Sequence, residues 1–133
     1  MPNRKMKMQI FTSRYSNNSI AQMDVIPVGI SLYPPRWKTP YKIQCYIKEL
    51  APTRHMFGLP FEEYKPKYLA ILESLGVEKI TQLIQASVPA HIKSNKVVLL
   101  CFEDLRKQDK WCHRRLFAEW WREKTGETIY EMQ

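Results

Sequence analysis

The chain has 133 residues, 44% of them hydrophobic, with four Trp, seven Tyr and five Phe, which excludes wholesale disorder and is enough for one core but not two. Its 21 Lys and Arg against 13 Asp and Glu leave a net charge of +8, which suits phosphate-bearing partners or simply a solvated surface. No apolar run approaches the roughly eighteen residues that span a bilayer, the start lacks a secretion-signal pattern, and an odd count of three cysteines argues against a disulfide scaffold. The expectation is a cytoplasmic protein with free thiols and no membrane partner.

In chain order, residues 1–7 read as a basic tail and 8–133 as a single domain. Met8 to Thr12 is a first short strand by its apolar, β-prone content, broken by the polar run from Ser13. Pro27 opens a second strand, Val28 to Leu32, because a missing amide donor is tolerated at a strand's first residue, and Pro34-Pro35 ends it. Residues 36–58 read mostly as loop, with one helical turn near Ile43 to Leu50.

Phe61, Tyr64, Tyr68, Ile71, Leu72 and Leu75 then recur at helical spacing, with Glu62 and Glu63 in the first turn and Gly76 as a stop. A kink is expected at Pro66. Val77, Ile80, Leu83 and Ile84 continue as a second helix or a bent extension, closed before Pro89. Lys96 to Phe102 is a continuous apolar run, as in a parallel strand covered on both faces. Asp109 suits the cap of a last helix whose core stripe is Leu116, Phe117, Trp120 and Trp121, stopped by Gly126. Thr128 to Met132 reads as a final strand.

Strands alternating with helices imply an α/β domain, a mostly parallel, Rossmann-like sheet of about four strands with helices packed on it. Ligands of such sheets bind beyond the carboxyl ends of the strands. Thr12 to Tyr15, Tyr33 to Trp37 and Cys101 to Glu103 are therefore expected at one rim.

The richest chemistry brackets the turn into the last helix: Cys101, Glu103, Cys112, His113 and Arg114. With Asp109 as cap, Cys112 and His113 fall in the first helical turn, where free amides and the helix dipole favour anions and lower a thiol pKa. Cys112 is then a candidate nucleophile, with His113 and Glu103 as acid and base. Arg114 offers a fork for carboxylate or phosphate. Equally, Cys101 suits a buried hydrophobe, and Glu103 with Arg114 suits a structural ion pair. A zinc reading would use Cys101, Cys112 and His113, but adjacent helical residues point about 100° apart, so no metal ligand is assigned. Trp37 beside Arg36 is the expected surface aromatic, with Tyr15 and Tyr33 completing a stacking wall and Ser13 nearby. There is no GxGxxG, Walker loop, HExxH or GxSxG.

Taken together, the blocks Phe11-Thr-Ser with Tyr15, Ile30-Ser-Leu-Tyr-Pro-Pro-Arg-Trp, Glu49-Leu-Ala-Pro, Val97-Val-Leu-Leu-Cys-Phe-Glu, Cys112-His-Arg-Arg-Leu and Ala118-Glu-Trp resemble the signature of the bacterial and phage proteins called domain of unknown function family 488. The likeness runs from about Met8 to Met132. It implies a small cytoplasmic α/β domain in which the Cys-x-Glu and Cys-His-Arg blocks form one site, and it implies no activity. Arg14 between Ser13 and Tyr15, and the charged Arg106-Lys-Gln-Asp-Lys loop, depart from that pattern.

The leading expectation is a rim pocket for a small anionic or nucleotide-like ligand, with catalysis and cofactor left open. The alternatives are a nucleic-acid-binding accessory protein, using basic residues and Trp37 or Tyr15, and a non-enzymatic interaction domain with inert cysteines.

Overall fold

The computed structural model describes residues 8–103 and 111–132. Five strands, β1 (Gln9–Arg14), β2 (Ile26–Gly29), β3 (Cys45–Tyr46), β4 (Lys96–Cys101) and β5 (Tyr130–Glu131), form one sheet in the order β3-β2-β4-β1-β5. Every pairing is parallel. Two helices, α1 (Phe61–Ala86) and α2 (His113–Thr125), pack against the sheet, so the chain is an α/β fold of the expected class. Among the described residues no helix is long and apolar enough to cross a membrane.

β4 lies at the centre because it is apolar on both faces: Val97 through Cys101 are all fully buried. Its side chains alternate. Val97 and Leu99 join the cluster formed by Ile26, Val28, Leu72, Ile80, Leu116 and Phe117. Val98 and Leu100 meet Tyr15 and Ile20 on the other side, with Tyr41, Ile43 and Tyr46 packed around them. One face is thus covered by helices and the other by the irregular segments after β1 and before β3. Trp120 and Trp121 are buried as the helical spacing predicts.

Several elements differ from the sequence expectation. The second strand begins at Ile26 and ends at Gly29, so Pro27 lies inside it. The proline costs no ladder bond: the Pro27 carbonyl accepts from the Gln44 amide, and β3 pairs only with Val28 and Gly29. The segment expected as a helical turn supplies the fifth strand, Cys45–Tyr46, followed by a 3-10 turn at Lys48–Leu50. α1 stays helical through Pro66 and breaks at Gly76, whose φ of 79° and ψ of 159° fall in a region essentially reserved for glycine. The kink expected at Pro66 is therefore absent, and the chain breaks at Gly76, where a stop was expected. Gly126, at φ 80°, closes α2 as expected.

Asp109 and the Arg106 to Lys110 loop lie outside the described residues, as does the 1–7 tail. The first helical residue of α2 is His113, with Cys112 as N-cap in extended backbone at φ −148° and ψ 151°. Cys112 therefore precedes the helix instead of sitting within its first turn.

Candidate functional site

β4 delivers Cys101 to the carboxyl rim of the sheet, and the chain returns through Trp111 to Cys112 at the start of α2. A cavity of about 860 Å³ opens there, beyond the ends of β2 and β4, the position where ligands bind in open α/β sheets. Tyr33, Trp37, Phe57, Phe102 and Trp111 contribute aromatic walls, and Arg36 and Glu103 contribute charge. Cys101, Cys112 and His113 also line it. The aromatic rings brace one another in edge-on contacts, Trp37 against Phe102 at 6.1 Å and Tyr33 against Phe57 at 6.4 Å. Trp111 is held edge-on by Tyr64 at 4.5 Å and by Phe61 at 5.2 Å, so the start of α1 sets the position of one wall.

Of the residues singled out in the sequence, Arg36, Trp37, Cys101, Glu103, Cys112 and His113 line this cavity. Ser13, Tyr15 and Arg114 do not. Ser13 is buried, donating to the Met132 carbonyl at 2.7 Å and accepting from Asn17 at 3.0 Å. The Tyr15 hydroxyl is bonded to Ser31 Oγ at 2.6 Å, and its ring backs Phe102 at 4.9 Å. Tyr15 thus supports the wall from behind, because β1 continues to Arg14 and turns its next side chain into the second cluster.

Arg114 is fully buried. Its Nε donates to both Glu131 carboxylate oxygens at 3.0 and 3.2 Å, and Nη2 reaches Oε2 at 2.6 Å. Thr12 Oγ1 donates to the same carboxylate at 2.8 Å. The fork expected to hold a ligand anion is therefore engaged by Glu131, and the ion-pair partner is Glu131 rather than Glu103. Glu131 went unrecognised in the sequence, where the one signal is an acidic residue inside an otherwise β-prone run. Phe57 and Trp111 were also missed; they sit in segments without periodicity, and only their aromatic character marks them, whereas Phe102 falls in the Cys101 to Glu103 segment expected at the rim.

Cys101 and Cys112 are joined as a disulfide with Cα atoms 7.3 Å apart, and Cys45 is the free thiol. The expectation of three free thiols is corrected for this pair: parallel β4 and the N-cap of α2 bring the two sulfurs together. His113 Nε2 lies 2.6 Å from the Ile30 carbonyl oxygen. A carbonyl only accepts, so Nε2 carries the proton and Nδ1 presents its lone pair. That Nδ1 is 3.6 Å from Cys112 Sγ. Burial lowers the His113 pKa to about 4, against the Ile30 hydrogen bond and with the help of the Arg114 charge, so the ring is neutral at pH 7. Arg114 Nη1 completes the arrangement by donating to Cys101 Sγ at 3.0 Å.

Comparison with protein-family models, with characterised proteins and with solved structures finds no match to this chain.

Proposed function

We propose that the rim cavity binds a small, planar, anionic ligand of nucleotide type in the cytoplasm. The observation that carries this reading is the aromatic lining with Arg36 beside Trp37. Flat apolar walls accept a ring by stacking, and Arg36, exposed and without an ion-pair partner among the described residues, is the cation available to a phosphate or carboxylate. Glu103 at the same wall is the candidate acid or base if the ligand is transformed. The likeness of the Cys101-Phe-Glu and Cys112-His-Arg blocks to family 488 supports treating both sides of the loop as one site. Calorimetric titration with nucleoside mono- and diphosphates tests it. Trp37→Ala is expected to weaken binding by about tenfold, the effect of losing one stacked base, and Arg36→Ala to weaken phosphorylated ligands more than free nucleosides. Ligands that bind equally well to both variants would remove the reading.

A second reading, single-stranded nucleic acid, is favoured by the exposed Tyr33, Trp37 and Phe57 together with the net charge of +8. Its signature is a steep loss of affinity with salt.

A further inference from the structure

We propose that Cys101, Cys112 and His113 form a zinc-type metal site whose remaining coordination position opens into the cavity. Their ligand atoms all lie within 4.8 Å of one another, and all three residues are buried. This goes beyond ligand binding by the aromatic walls and does not depend on it.

The sequence argued against such a site because neighbouring residues on a helix diverge. The structure removes that objection. Cys112 is in extended backbone and His113 is the first helical residue, so the chain turns between them and both side chains reach the same point, 3.6 Å apart at Sγ and Nδ1. Cys101 arrives from the end of a central strand, a rigid support.

The surroundings are those that a metal site requires. A metal-bound imidazole commonly donates its other N–H to a carbonyl or carboxylate, which fixes the tautomer and aims the lone pair. His113 does this through Nε2 to Ile30. Its Nδ1 lone pair then faces Cys112 Sγ, and a disulfide sulfur carries no hydrogen to offer it. A metal ion, or a thiol proton awaiting displacement by one, satisfies that buried atom. Arg114 Nη1 at 3.0 Å from Cys101 Sγ is a cationic donor suited to thiolate.

Two sulfurs and one imidazole nitrogen are the donor set of zinc and other borderline-soft cations, and three protein ligands leave a fourth position for water or a ligand atom. The disulfide and the metal site are two states of one pair. A phosphine supplies two electrons and breaks the sulfur–sulfur bond, water gives its two protons to the two thiols and its oxygen to the phosphine oxide; a dithiol instead passes its own two thiol hydrogens to the pair and closes to a cyclic disulfide. Metal binding then displaces one proton from each thiol.

The test uses the full chain, reduced with a phosphine under anaerobic conditions and titrated with Co²⁺ in the absence of nucleotide. Thiolate-to-cobalt charge-transfer absorption is expected to saturate at one equivalent and to disappear when Zn²⁺ is added. Cys45→Ser should match the wild type, and Cys112→Ser should lose the band. A second measurement, on the wild type, does not depend on the folding of Cys112→Ser: Zn²⁺ should slow iodoacetamide labelling of Cys101 and Cys112 by about tenfold or more and leave Cys45 unchanged. A folded, reduced wild type with no charge-transfer band, a band abolished by Cys45→Ser, or equal labelling with and without Zn²⁺ would each overturn the site. Failure of nucleotide titrations alone would bear only on the cavity.

Discussion

Arg114 shows how a charged side chain changes meaning with its partner. Fully buried, it is tolerable only because Glu131 returns a bidentate carboxylate and Thr12 satisfies that carboxylate in turn. Removing one member strands the other, so Arg114→Met is expected to lower unfolding free energy by about 3–5 kcal/mol, and Arg114→Met with Glu131→Leu to recover most of the loss. Denaturant unfolding of both singles and the double measures the coupling; additive losses would mean that the pair is not a unit. His113 gives a pH signature in the metal-free protein. Its folded pKa, lowered to about 4, lies below the unfolded value, so the unfolded chain binds the extra proton. The resulting stability is fully present above pH 6.5 and is lost as pH falls toward 4, by up to roughly 3 kcal/mol. His113→Gln should flatten that part of the pH profile; an unchanged slope would place the titration elsewhere.

The elements depend on two glycines for different reasons. At Gly29, the last residue of β2, an added Cβ would collide with the Tyr46 ring in β3 and with the hydroxyl of Tyr15, buried in the turn after β1. Gly29→Ala should therefore cost about 1–3 kcal/mol by overpacking and disturb the Tyr15–Ser31 hydrogen bond behind the cavity. At Gly76 nothing crowds the added atom, and the constraint is the backbone, whose φ and ψ no other residue adopts readily. Gly76→Ala should cost about 1–3 kcal/mol through backbone strain, with a smaller effect on the site because the break lies far along α1 from Phe61 and Tyr64. Comparing the two variants by thermal unfolding and by ligand titration separates them: only Gly29→Ala should change binding more than stability predicts. Equal effects on binding would detach the end of β2 from the cavity.

Across the molecule the charge of +8 is spread over the chain, while the cavity carries Arg36 as its one lining cation among the described residues. A ligand held by a single cation should lose only about threefold in affinity between 50 and 200 mM salt, against about three-hundredfold for a single strand neutralised at six phosphates. Titrations of nucleotide and of single-stranded DNA at both salt levels distinguish the two readings. The α/β class, the central β4 run, the α2 core stripe and its Gly126 stop were legible in the sequence because each rests on periodicity or on a local backbone requirement. The rim placement of Arg36, Trp37, Cys101 and Glu103 followed from the shared carboxyl ends of parallel strands, and that of Cys112 and His113 from the return of the same loop into the last helix. What only the tertiary structure decided were long-range pairings: Glu131 taking Arg114, Tyr15 turning behind Phe102, β3 forming where β2 offered an edge, and Cys112 standing ahead of the helix beside Cys101. A sequence reports the preferences of neighbours, and these four depend on contacts between residues brought together only when the parallel sheet closes.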